Sequence, residues 1–514
     1  MSADVEQTKT GPAARLWAKL LLVPRRLTIV VLVVAALWFF GFRGEFDLAY
    51  VVAGLLIGVA AWQRITVPAN APYSFDLPGM PDGPAAIRAV LPPPSNSYAL
   101  LVALAAFALG SLFLLPGWIV LIATVAVLLV WLVAIIAVFQ RLRQIWRLVR
   151  ALKAYSPEIG IGFAGRGGGP WQLMMWEPYL LRSGLPCVIY SRNETHVKMI
   201  REGSDLKSPF IQLSPDPVGD LNRLLVPSLR TLYYVQNAKN NQEFMSHTNL
   251  THVWLNHGDS DKPANFNPRH ANYDKLVVCG QAGIDRYERH GIHVDPEKFA
   301  ILGRPQAANV IPASGSISAK DKQVLLYAPT WQGVNKSLNF SSLDCGTEII
   351  KRLIARDVTV IFRPHPLSLR WKGRRLVCEE IYAVLEADTA HQHIWGDRAN
   401  VDWSVVECSN AADALISDVS SVVSDFLQSE KPYAMMSMSD PVEVFQAEFS
   451  VAETGYVILG DLSNFHAMLD DMLGPDPLAE ARSARKRYVL GDFTGQESAE
   501  AFADFVRELA GYNS

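Results

Sequence analysis

The spacing of apolar positions divides the chain near residue 140. Before it, apolar residues come in long runs at Leu27–Phe42, Phe46–Trp62, Tyr98–Leu115 and Gly117–Phe139. A bilayer core about 30 Å thick takes roughly 20 helical residues, so the fourth run spans comfortably and the first two sit near the lower limit. Arg43, Gly44 and Glu45 split the first pair into a tight helical hairpin, and Pro116 with Gly117 breaks the second. Residues 25–140 are therefore expected to form an α-helical transmembrane region of about four spans. Between the pairs, residues 65–97, with Pro92, Pro93 and Pro94, read as a Pro/Gly linker at the membrane surface.

Beyond residue 140 the period changes twice. Leu142, Ile145, Trp146, Val149 and Leu152 share one helical face, with Arg141, Arg143, Arg147, Arg150 and Lys153 mainly around the others. Residues 141–156 thus predict a basic amphipathic juxtamembrane helix; a stop-transfer collar would use the same charges. From Glu158 short apolar runs alternate with helical patterns, which predicts α/β layers. Strands are expected at Ile159–Phe163, Pro186–Tyr190, Thr231–Val235, Val253–Leu255 and Lys275–Val278. A second unit follows, with strands at Val324–Tyr327, Val358–Phe362, Ala414–Ile416 and Pro432–Met436, a helix over Cys345–Arg356, and a closing helix over Ser498–Ala510. The expected division is an N-terminal α/β domain at 157–310 and a C-terminal one at 311–514.

Charge sets the orientation. Residues 1–155 hold 13 Lys and Arg against 6 Asp and Glu, clustered in the basic tail 1–24, at Arg25 and Arg26, and after the fourth span. The positive-inside rule puts both ends of the membrane region, and everything after it, in the cytoplasm. No small-residue cleavage site marks a removable signal peptide. Residues 156–514 hold 34 Lys and Arg against 44 Asp and Glu, an acidic excess that argues against nucleic acid as a partner. The five cysteines are scattered and odd in number, without the spacing of a disulfide framework or a zinc site.

Three expected strands end in polar clusters. Val253–Leu255 leads into His257 and Gly258; Val358–Phe362 leads into Arg363, Pro364, His365 and Pro366. Ala414–Ile416 leads into Ser417, Asp418, Ser420 and Ser421, where a helix begins. Ligands of open α/β sheets sit outside the carboxyl ends of the strands, so these clusters can share one crevice. A Ser-rich turn at a helix start can cap that helix or receive a phosphate, since both draw on the same N–H donors. Asp418 suits capping or orienting the turn, because a carboxylate facing a diphosphate would repel it. Gly165, Gly167, Gly168 and Gly169 precede Pro170 without the order of a dinucleotide fingerprint, which excludes NAD. That loop is either a tight turn or a place where an acceptor approaches backbone beside a lip of Trp171, Met174, Met175 and Trp176.

The set HGDSDK (257–262), LYAPTW (326–331), FRPHP (362–366) and ISDVSSVVSDFL (416–427) resembles the CDP-glycerol glycerophosphotransferases of teichoic-acid-type polymer synthesis. The resemblance covers roughly residues 255–436. It implies a GT-B-like pair of Rossmann-type domains and transfer of glycerol phosphate from CDP-glycerol to a hydroxyl of a polyprenyl-linked or glycan acceptor, releasing CMP. It implies His257 as general base on the acceptor and His365, with Arg363, on the departing CMP. Ser420, Ser421, Thr330 and Lys262 would hold donor phosphates. Where the family usually carries Thr after His-Gly this chain has Asp259, a carboxylate able to orient the imidazole or mark a changed acceptor. Asp425 faces ribose or solvent. No acidic cluster forms a metal cage, although a divalent cation could screen the diphosphate. Backbone phosphate binding does not read the transferred group, so CDP-ribitol or a nucleotide sugar fits the same motifs. A non-catalytic membrane scaffold of polymer synthesis retains the fold as well.

Overall fold

The structure, a computed structural model, describes residues 71–83, 139–165, 170–255, 265–333 and 340–512. The four expected spans lie outside these residues; among the described residues no helix is long and apolar enough to cross a membrane. Thirteen strands are described. They are β1 (Tyr73–Phe75), β2 (Ile159–Phe163), β3 (Cys187–Ser191), β4 (Phe210–Gln212), β5 (Thr231–Tyr234), β6 (Thr251–Trp254), β7 (Lys275–Val278), β8 (Phe299–Ile301), β9 (Gln323–Ala328), β10 (Val358–Phe362), β11 (Ala414–Ser417), β12 (Tyr433–Ser437) and β13 (Tyr456–Leu459).

The described residues of Met1–Ala154 together with Ile211–Leu224 form one compact unit. In it β1 lies beside β4, and the helical residues 139–154 bury Ile145, Leu148 and Leu152. The expected single apolar face is divided. The 145/148/152 stripe turns inward, while Phe139, Leu142 and Trp146 are exposed among Arg143, Arg147 and Arg150, with the Arg150 guanidinium 5.6 Å from the Trp146 ring centre. The apolar arc is wide enough to serve two surfaces.

Tyr155–Phe210 with Leu225–Ser514 form the other unit. It holds two parallel sheets. In the first, six strands run in the order β3-β2-β5-β6-β7-β8. Gly162 in β2 has a packing reason, since a Cβ there would stand 2.7 Å from the Tyr234 ring. In the second sheet the order is β10-β9-β11-β12-β13, again all parallel.

Alternation along the second sheet's strands feeds two cores. Leu325, Tyr327, Val358, Val360, Phe362, Ala414 and Ile416 face one, under the helices Gly346–Ile354, Lys372–Ala387 and Phe465–Leu473. Leu326, Ala328, Ile361, Leu415, Tyr433 and Met435 face the other, with the helix Ser421–Leu427. A sheet covered on both sides explains why its strands read as unbroken apolar runs. Each large side chain so buried contributes about 1.5–3 kcal/mol.

The chain passes between the sheets at residues 302–305. Leu302 N–H donates to the Val278 carbonyl and Gly303 N–H to that of Cys279. Gly303 has φ 71°, and a Cβ there would stand 2.7 Å from Ser498 Oγ, so glycine is required twice over. Ser498 belongs to the last helix, Gly495–Leu509, which returns to the first sheet; its Oγ donates to the Leu302 carbonyl at 2.7 Å, and Phe502 packs on Trp176 with ring centres 5.1 Å apart.

At the far end of the second sheet a charged network fixes the turn before β10. His391 Nδ1 meets Asp388 Oδ2 at 2.6 Å and its Nε2 meets Asp357 Oδ1 at 2.9 Å. The hydrogen bond with Asp388, then that with Asp357, raise the His391 pKa above its usual value, while the His391 hydrogen bond holds Asp388 down to about 2. A raised imidazole pKa stabilises the fold fully below about pH 6.5, and that contribution is lost as pH climbs through the folded value. The melting temperature of wild type is thus expected to fall across this window relative to His391→Gln, and parallel pH profiles would contradict the pairing.

Candidate active site

The loops after β9, β10 and β11 leave neighbouring parallel strands at their carboxyl ends. In register, Phe362 lies beside Tyr327 and Ser417 beside Ala328, so the three loops begin side by side. The chain goes from β9 to β10 on one flank and later returns to β11 on the other, which makes β9 a switch point of the topology. Thr330, His365, Ser420 and Ser421, predicted separately from sequence, all sit on loops or helix starts at this edge.

Asp418 holds two of these loops in place. Its side chain is fully buried; Oδ2 accepts the Thr330 N–H at 2.6 Å and Oδ1 the Ser342 N–H at 3.2 Å. Ser341 Oγ donates to the Thr330 carbonyl at 2.8 Å, tying the far end of the same loop to its start. The carboxylate is thus engaged by two backbone N–H groups of the loop after β9.

His365 caps the helix Pro366–Arg370, and its Nδ1 accepts the Leu367 N–H at 3.1 Å. A backbone N–H can only donate, so the neutral ring carries its proton on Nε2. The His365 N–H is held in turn by the Pro329 carbonyl, and the Trp331 ring lies 6.3 Å from the imidazole, centre to centre. Ser420 caps the helix Ser421–Leu427, its Oγ accepting from Val422 N–H. Arg363 sits at the same edge with one guanidinium nitrogen committed. Its Nη1 donates to the carbonyls of Ala399 and Trp403, the latter at 2.7 Å, and so fixes the turn Arg398–Asp402.

The first sheet has its own switch point, where β2 is flanked by β3 and β5. The glycine loop starts there, and Gly165 N–H donates to Gln236 Oε1 at 2.9 Å while Gln236 Nε2 donates to Gln172 at 2.7 Å. Pro170 opens the helix Pro170–Met174 as expected of a first helical residue. The apolar lip is smaller than the sequence suggested: Trp171 and Met174 are exposed, whereas Trp176 is core. Met175 is half-buried.

His257, Asp259 and Lys262 lie outside the described residues, on the segment that leaves β6 after Leu255. Beneath its start is a residue the sequence reading missed. His270 is buried, stacks on Trp254 at 4.3 Å, and hydrogen-bonds Tyr287 through Nδ1 at 2.6 Å and Asn237 through Nε2 at 3.1 Å. Burial pushes its pKa down to about 3, so it is a neutral prop for the end of β6.

Residues 223–441 match the family model of CDP-glycerol:poly(glycerophosphate) glycerophosphotransferases. Over this stretch the chain is similar to the CDP-glycerol glycerophosphotransferase enzymes. No curated protein matches the chain. Among solved structures, the wall teichoic acid polymerase TagF soaked with CDPG is 13% identical, with 72% of this chain and 94% of that one covered and a TM-score of 0.45. An S. aureus MnaA–UDP structure is 12% identical, covering 68% of this chain and 96% of that one, with a TM-score of 0.45.

The glycerophosphotransferase match contains all nine residues singled out from sequence, but it also contains charged groups that serve the fold. Asp425, expected to face ribose or solvent, pairs with the buried Arg304 of the inter-sheet linker at 2.6 Å. Lys431 donates from Nζ to the carbonyls of Ser409, Asn410 and Ala412, closing the helix Val405–Ala411. Asp388, His391 and His393 place three metal-ligand atoms within 4.8 Å of one another. Yet His393 Nδ1 accepts the Val360 N–H at 2.9 Å, which puts that ring's proton on Nε2, the nitrogen facing Asp388. The donor set therefore suits an ion-paired network better than a metal.

Proposed function

We propose that the chain transfers glycerol phosphate from CDP-glycerol to a hydroxyl of a lipid-linked or cell-envelope glycan acceptor, with release of CMP. The observation that carries this reading is the convergence of the β9, β10 and β11 loops at one switch point, within the matched region, around a histidine whose proton is fixed on Nε2. The acceptor oxygen attacks the glycerol-bearing phosphorus, and the bond from that phosphorus to the bridging oxygen breaks with its electrons leaving on CMP. His257 takes the acceptor proton. His365 Nε2–H donates to the departing phosphate, and Ser420, Ser421, Thr330 and Lys262 hold the diphosphate. Arg363, braced by two carbonyls, contributes its positive charge. Breaking a phosphoanhydride is mainly a matter of positioning and charge neutralisation, which is what such a set of donors supplies. Asp418 orients the loops, and Asp259 orients His257.

The two α/β domains, 157–310 on the acceptor side and 311–514 on the donor side, work in this scheme as a GT-B pair. The membrane region 25–140 anchors the enzyme with its catalytic part toward the cytoplasm, and Phe139, Leu142 and Trp146 extend that contact along the surface. Trp171→Ala is expected to leave the melting temperature unchanged and to lower use of a lipid-linked acceptor severalfold, while a water-soluble acceptor is used as before. An equal loss with both would remove the lip from the account.

Donor identity is tested by thermal stabilisation of the purified full-length protein. CDP-glycerol at 100 times its Kd should stabilise by about 2.7 kcal/mol. CDP-ribitol or UDP-N-acetylglucosamine stabilising more strongly than CDP-glycerol would transfer the assignment to that donor; no stabilisation by any of them favours a scaffold.

A further inference from the structure

The six residues Arg370–Arg375, RWKGRR, put four cations into a part of the chain where acidic residues are in excess. Arg370, Trp371, Lys372 and Arg375 are exposed, Trp371 at 41%. Arg374 and Arg375 have partners. Arg374 Nε donates to Gln332 at 2.7 Å and its Nη1 pairs with Asp344, while Arg375 pairs with Glu379 at 2.9 Å. Arg370 and Lys372 form no ion pair with any described residue.

This strip is fixed to the active-site edge. Trp371 meets Trp331 edge-on with ring centres 5.7 Å apart, and Trp331 lies 6.3 Å from His365. The strip therefore begins one short helix, Pro366–Arg370, from the imidazole. Arg374 braces it against Gln332 of the same loop that carries Thr330.

We propose that Arg370, Trp371 and Lys372 form a subsite for the phosphodiester-linked polyol phosphate chain of an acceptor that already carries transferred units; this rests on the glycerol phosphate reading above. Each transfer leaves one phosphodiester, hence one negative charge, separated from the next by a C–H-rich linker. A guanidinium and an ammonium recognise such phosphates, and the indole face covers the linker between them. An anionic bilayer is the less suitable occupant. Glu379 and Glu380, exposed one to two turns further on, would face the same broad surface, whereas a single thread passes them by.

The test is fluorescence titration of the full-length protein with labelled poly(glycerol phosphate) of one unit and of about eight units. Wild type should bind the longer oligomer at least tenfold more tightly. Arg370→Gln/Lys372→Gln should lose about fivefold per charge removed, the scale of a cation at an anionic surface, with an unchanged melting temperature. Binding without length dependence, or equal binding by wild type and the double variant, overturns the subsite. So does Arg370/Lys372-dependent binding to phosphatidylglycerol vesicles without oligomer binding. The readout is binding, so a protein that ignores CDP-glycerol yet shows the length-dependent, charge-dependent binding refutes the donor reading and supports the subsite.

Discussion

Replacing His257 with Ala is expected to lower glycerol phosphate transfer by about 10²–10⁴-fold, the range for removing a positioned general base. That is roughly 3–5 kcal/mol of transition-state stabilisation. Donor affinity should be nearly unchanged, because His257 is assigned to the acceptor proton and the diphosphate, Lys262 apart, to loops of the other sheet. The comparison is CMP release by wild type and variant at saturating CDP-glycerol, with donor Kd measured separately. A variant within about threefold of wild type would remove His257 from the chemistry, and a variant that loses donor affinity instead would move it to the donor side. His270→Ala supplies a contrast. It deletes the prop under Trp254 and should lower stability as well as rate, since it leaves the buried hydroxyl of Tyr287 without this partner.

Asp418→Ala is expected to weaken both the fold and donor binding. It strips the acceptors from two buried backbone N–H groups, Thr330 and Ser342, at about 1–3 kcal/mol each. The loop carrying Thr330 then loses its fixed position beside His365. The direction of the change in CDP-glycerol affinity separates two roles. An orienting carboxylate makes Kd rise when it is removed. A carboxylate facing the diphosphate would make Kd fall, because a repulsion would be relieved. Calorimetric titration of the variant with CDP-glycerol, beside its thermal melt, reads both effects.

Much of the second sheet was legible because its strands are buried on both faces and read as unbroken apolar runs. Val358–Phe362 was placed to the residue, and β9, β11 and β12 to within one residue at each end. Four strands, β1, β4, β8 and β13, escaped notice, and two of them show why. β8 is a three-residue edge strand with partly exposed side chains, so its pattern is faint. β13, YVIL, is a short apolar run that periodicity cannot tell from a helix segment. The loops of the candidate site could be read from residue type, since Ser, His and Asp clustered after apolar runs stand out. What those side chains bond to could not. Arg363 reads as a phosphate fork, yet Nη1 is held by carbonyls 36 and 40 residues away. Asp425 and Arg304 are 121 residues apart, and only the folded chain brings them together. His270 sits in a polar stretch whose burial depends on Trp254 and Tyr287 closing over it, and nothing in its neighbours announces that.

Transfer itself can be measured directly. Detergent-purified full-length protein would be given CDP-glycerol labelled in the glycerol, with membrane lipid and cell-wall glycan extracts as acceptors, and CMP and labelled product would be counted together. CMP and acceptor-bound label are expected in equal amounts. Equal CMP and free glycerol phosphate, or label accepted from another nucleotide donor in preference to CDP-glycerol, would contradict this expectation.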